Sequence, residues 1–138
     1  MPTLFIEAPT GVRPDAKQKM MREITKAIDE AFEASQFADT RIFLREYPPD
    51  NVALNGHINA EPVKPVCFLE APELTNLETK STMAGKILAA VDEAYRDIAN
   101  TNETLILMNH YPLENSAWAG RLGSEQPDAV AYIKQLNA

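Results

Sequence analysis

The chain is written twice. Pro2, Phe5, Glu7, Ala8 and Pro9 of the opening MPTLFIEAP return as Pro65, Phe68, Glu70, Ala71 and Pro72 of PVCFLEAP, an offset of 63 residues. The same offset carries Lys17 to Lys80, Met20 to Met83 and Ile24 to Ile87, and turns Asp29-Glu30-Ala31-Phe32 into Asp92-Glu93-Ala94-Tyr95. After one inserted residue the match resumes, with Tyr47-Pro48 answered by Tyr111-Pro112, Asn51 by Asn115, Ala53 by Ala117 and Gly56 by Gly120. One structural unit used twice must therefore supply most of the core.

Each unit reads as strand, helix, strand. LFIEAP and VCFLEAP are short, β-rich and stopped by proline. From Pro14 to about Ala34, the residues Ala16, Met20, Ile24, Ala27, Ile28, Ala31 and Phe32 recur at helical spacing; Met83, Ile87, Val91, Ala94, Tyr95 and Ile98 do so in the second copy. Pro14 suits a first helical position, and Asp15 lies where the helix dipole favours an anion. TRIFLREYP and TLILMNHYP supply the second strands, ended by Pro48 and Pro112. The two strands of each β-α-β unit must lie parallel, with the helix crossing one face.

The expected fold class is α+β: a tandem β-α-β repeat forming a four-stranded mixed sheet with two helices on one face. A single domain over residues 1–138 is expected, with repeats at about 2–58 and 65–122 and a C-terminal helical tail at about 126–136, where Val130, Ile133 and Leu136 offer an apolar stripe. Segments Asn51–Ile58 and Asn115–Leu122 read as short hairpin arms around Gly56 and Gly120. Residues such as Phe5, Phe43, Leu69 and Leu107 alternate between the faces of the sheet. A face without helices would leave an apolar patch in water, so oligomerisation around it is expected.

The balance of 13 basic against 20 acidic residues, net −7, opposes a phosphate-backbone partner, so no nucleic acid is expected. No apolar run is long enough to span a bilayer and the first residues form no targeting segment, which points to a cytoplasmic protein without a membrane partner. Cys67 is the only cysteine and sits in a strand-like run, where it packs as a small hydrophobe. His57 and His110 have no third ligand at metal-like spacing, and no phosphate loop or nucleotide motif occurs.

An N-terminal Met-Pro running straight into a strand, followed by helix, strand and a Gly-containing hairpin, resembles the tautomerase superfamily, typified by 4-oxalocrotonate tautomerase. The resemblance covers nearly all of residues 2–122. The duplication, together with YPLENSAWAGRL after a second-copy strand, is similar to the longer members, such as cis-3-chloroacrylic acid dehalogenase and malonate semialdehyde decarboxylase. It implies a homotrimer, a small keto or enol acid as substrate, and no cofactor or metal.

Pro2 is the residue on which that chemistry turns. Once Met1 is removed, its α-amine is a secondary amine held in a ring. Burial or nearby cations would favour its neutral form, a base able to move a proton between oxygen and carbon. Without the resemblance, Pro2 reads as the start of an edge strand. Pro65 lies inside the chain and has no free amine, so only one copy can be catalytic.

The superfamily's carboxylate-binding arginines match Arg13, in GVRPDAKQ, and Arg41, in DTRIF. In the longer members the arginines facing the N-terminal proline come from the second-copy loop, which here reads APELTNLETK, with Glu73 and Asn76 where cations are expected. The water-activating positions of the dehalogenating members match Trp118, Leu107 and Ile28, none of which polarises water. Trp118 reads instead as a pocket wall and Arg121 as a further cation. The implied function is a tautomerase or isomerase with Pro2 as general base. The alternatives are an inactive trimeric binding or structural module and a decarboxylase of a small β-keto acid.

Overall fold

The computed structural model describes residues 2–33 and 39–138. Chain order is β1 (Thr3–Pro9), α1 (Pro14–Ala31), β2 (Arg41–Tyr47), β3 (Ala53–Leu54), β4 (His57–Ile58), β5 (Val66–Pro72), α2 (Leu77–Tyr95), β6 (Leu105–Tyr111), β7 (Ala117–Trp118), β8 (Arg121–Leu122) and α3 (Pro127–Leu136). The main sheet runs β2-β1-β5-β6. Strands pair in parallel within each repeat and antiparallel at the central β1–β5 seam, where Phe5 faces Phe68. The fold is therefore the mixed four-stranded α+β sheet that the repeat predicts.

Strand alternation divides the sheet cleanly. Leu4, Ile6 and Ala8 of β1 and Cys67, Leu69 and Ala71 of β5 are buried, meeting Met20, Ile24, Ala27, Ile28 and Ala31 of α1 and Met83, Ile87, Ala90, Val91 and Tyr95 of α2. Burial pushes the Cys67 thiol up to about 12, so it packs as an inert small side chain. The opposite face carries no helix. Register sets Phe43, Phe5, Phe68 and Leu107 in one row across all four strands. Phe5 and Phe43 stack at 5.4 Å, and Phe43 and Leu107 are exposed by 50% and 42%. An apolar row crossing a whole sheet is the patch expected to drive association.

The helix ends differ from the sequence reading. α1 stops at Ala31, where the Phe32 N–H still bonds the Ile28 carbonyl; Ala34 lies outside the described residues. α2 stops at Tyr95, which leaves Ile98 past the helix and 40% exposed. In α3 the residue fully buried is Ala129, while Val130 is exposed. The stripe thus begins at Ala129 in place of Val130, while Ile133 is half-buried and Leu136 packs against the core. Both arms form two-residue hairpins, with Asn55-Gly56 and Ala119-Gly120 at positive φ, as the tightest right-twisted turns require.

Phe32 is wholly buried just beyond α1, and its carbonyl accepts the Tyr132 hydroxyl of α3. Truncation there empties a core site that tethered backbone cannot easily refill. Phe32→Ala is expected to cost about 3–5 kcal/mol, read as a lower urea midpoint at fixed protein concentration.

Candidate active site

Pro2 sits at the head of β1, fully buried, and its carbonyl accepts the Arg41 N–H at 3.1 Å. Its parity is that of Leu4 and Ile6, so it faces the helices. Carrying the β1–β5 register one residue past Thr3–Glu70 sets Pro2 beside Ala71, and Ala71 in turn pairs with His110. Pro2, Ala71 and His110 thus lie along one edge of the sheet. Pro65 occupies the equivalent place at the other edge, its carbonyl accepting the Leu105 N–H at 3.2 Å.

This arrangement separates the predicted cations. Arg41 starts β2 beside Pro2; its exposed guanidinium holds Asp39 at 3.0 Å and keeps further N–H groups for a ligand. Arg13 caps α1 beyond the far end of β1, about 20 Å along the strand at about 3.3 Å per residue. There it pairs with Asp15 at 3.0 Å. Within one chain it belongs to the Pro65 edge and is not brought to Pro2. The antiparallel seam is the reason, because it places each repeat's loop against the other repeat's proline.

The loop facing Pro2 is the second one, Glu73–Asn76, and it is committed to structure. Asn76 caps α2, accepting the Thr79 N–H at 3.0 Å. Asn137, at the end of α3, donates to the Glu73 carbonyl at 2.9 Å and accepts from the Thr75 N–H at 2.8 Å. Beside this loop a cleft of about 600 Å³ opens, lined by Glu73, Tyr111, Leu113, Ile133, Lys134 and Asn137 among others. A larger groove of about 890 Å³ follows the outer side of α1, away from the Pro2–His110 row.

The second arm holds Trp118 and Arg121. The Trp118 ring packs on Gly123, and its carbonyl accepts from Gln126 at 3.2 Å. One N–H of the Arg121 guanidinium donates to the Glu125 carbonyl. Both serve the arm's own architecture in the single chain. A Cβ on Gly123 would stand 2.8 Å from the Trp118 ring and 2.9 Å from the Leu113 carbonyl oxygen. Gly123→Ala is therefore expected to destabilise the arm by about 1–3 kcal/mol, seen as faster amide exchange at Gly123, whose N–H bonds the Ser116 carbonyl. Of the remaining matched positions, Ile28 is core and Leu107 belongs to the open face.

The ends of the sheet also differ in charge, which the sequence reading missed. At the Pro65 edge, Lys17 holds Glu46 at 2.5 Å and the buried Tyr95 hydroxyl donates to the same carboxylate at 3.2 Å. The repeat equivalents at the Pro2 edge are Lys80, His110 and Phe32. His110 Nδ1 donates to the Pro72 carbonyl at 3.0 Å, while its buried Nε2 has no partner among the described residues. Burial holds this imidazole below its ordinary range against the pull of the Pro72 carbonyl; the Lys80 charge lowers it further and Glu73 opposes.

Among the described residues no helix is long and apolar enough to cross a membrane. No protein-family model matches the sequence. No curated protein matches it either. Solved structures do. A native fused 4-OT superposes with TM-score 0.77 at 18% identity, covering 91% of this chain and 98% of that one. A second fused 4-OT, described as an asymmetric trimer, gives TM-score 0.73 at 20% identity over 91% and 98% of the two chains. A malonate semialdehyde decarboxylase gives 0.68 at 11% identity over the same shares.

Proposed function

This chain has the duplicated tautomerase fold of the fused 4-OT structures, and from that premise we propose that it is a cofactor-independent tautomerase acting as a homotrimer on a small enol or keto acid. The observation that carries the reading is the complete burial of Pro2 at the head of β1. With Met1 removed, the nitrogen would belong to a ring packed at that buried place, and desolvation there would favour its neutral form. Its nitrogen takes the enol hydroxyl proton and a proton is returned to carbon, giving the keto acid with no change in oxidation state. Arg41, beside Pro2, steadies the anion, with its fork suited to a carboxylate. Trp118, Arg121 and Arg13 would enter this site only from a neighbouring subunit.

The test is a mass and an assay on one sample. An intact mass short of one methionine, together with ketonisation of phenylenolpyruvate, is the expected result. A retained Met1 makes the Pro2 nitrogen an amide and excludes it as base. The second reading, an inactive trimeric module, is favoured by Asn76, whose side chain is committed to helix capping where the resemblance expects a cation. Carbon dioxide release from a β-keto acid without enol ketonisation would favour the decarboxylase.

A further inference from the structure

The two repeats make the same lysine and treat it differently. Lys17 lies three residues before the buried Met20, and Lys80 three before the buried Met83, so each continues its helix's sheet-facing stripe over the strand ends. Lys17 is neutralised by Glu46 at 2.5 Å. At the equivalent place the repeat sets His110, whose imidazole feels the Lys80 charge. The Nδ1–H of that ring is fixed on the Pro72 carbonyl, so in the neutral ring Nε2 is an acceptor and offers no negative charge. Lys80 is half-buried and makes no ion pair among the described residues. Glu73, the carboxylate whose charge acts on His110, is exposed and more strongly screened.

We propose that Lys80 is a second substrate-carboxylate cation of the Pro2 site, on the other side of Pro2 from Arg41, taking the place of the loop arginines whose positions hold Glu73 and Asn76. This rests on the tautomerase reading for its ligand class, a small 2-keto or enol acid. His110 stands two strands from Pro2, about 10 Å at the usual strand spacing. The lysine stem spans part of that distance and a three-carbon acid the rest. His110 is a positioning residue here: it occupies the place of a neutralising glutamate and leaves the ammonium available. An ammonium on this side of Pro2, opposite the Arg41 fork, would be a compact point charge that tolerates variation in the carboxylate's orientation.

The test is calorimetric binding of benzoylformate, a 2-keto acid with no α-proton, to the full-length trimer carrying Pro2→Ala, so that no turnover intervenes. Lys80→Met is expected to weaken binding about 10- to 100-fold, the worth of one charge-assisted hydrogen bond, and Lys80→Arg to stay within about threefold. His110→Glu is expected to mimic Lys80→Met by recreating the Lys17–Glu46 pair, while Lys17→Met leaves binding unchanged. Unchanged binding in Lys80→Met, equal loss in Lys17→Met, or no binding by the parent at millimolar ligand overturns the proposal. Should Lys80→Met fail to fold, Lys80→Arg and His110→Glu decide by the same criteria. Benzoylformate binding through Lys80 in a protein that does not ketonise enols would retain this site and remove the tautomerase reading. Ketonisation with a KM indifferent to Lys80 would do the reverse.

Discussion

Pro2→Ala, made in protein that has lost Met1, is expected to slow ketonisation of phenylenolpyruvate by about 10²- to 10⁴-fold, the usual contribution of a positioned general base. Alanine is still small enough to permit methionine removal, so a terminal amine remains. It differs in being primary and free to rotate, whereas the pyrrolidine ring points one lone pair in one direction. Pro2 also loses ring carbons from a fully buried site, so water gains access and the charged form of the amine is favoured. The loss should appear in kcat as well as kcat/KM, because the base acts in the transition state. Activity within a few-fold of the parent would remove Pro2 from the mechanism.

Phe68→Asp is expected to convert the proposed trimer to species of 15.3 kDa, measured by sedimentation at micromolar protein. Phe68 stands at the middle of the Phe43–Phe5–Phe68–Leu107 row, flanked by Phe5 and Leu107. A carboxylate there would be buried without a partner on association, at a cost of several kcal/mol. The position is chosen over Phe5 because the Arg45 guanidinium lies 4.7 Å over the Phe5 ring and would neutralise a new carboxylate. A variant that still sediments as a trimer would place the interface elsewhere. Phe43→Asp, at the sheet edge and already half-exposed, should give a smaller effect.

Much of this molecule can be read from the repetition of its sequence. A 63-residue offset that matches strand, helix and strand leaves little choice of topology, and alternation in TLFIEAP and VCFLEAP predicts which face each residue takes. The position of Arg13 could not be read in the same way. Its distance from Pro2 depends on the seam between the repeats being antiparallel, a long-range fact that no local pattern encodes. Asn76 looked like a missing cation and is a helix cap, a role visible only once the start of α2 is known. Lys80 was legible in part: Lys17 and Lys80 match in the repeat, and the discriminating signal is the unmatched pair Glu46 and His110. The agreement between the copies carries the fold, and the proposed role of Lys80 rests on where they differ.

The β1–β5 seam has a further consequence. Its register pairs Phe5 with Phe68, Leu4 with Leu69 and Ile6 with Cys67; since 68 is 5 plus 63, the strand meets its own copy about a pseudo-dyad through that phenylalanine pair. A polypeptide comprising only the first half would find in an identical molecule a partner of the correct shape, and the resulting homodimer would present two free imino termini. Each terminus would then face the lysine paired with Glu46; only a chain carrying two unequal halves can set His110 at one end of the sheet while Glu46 stays at the other.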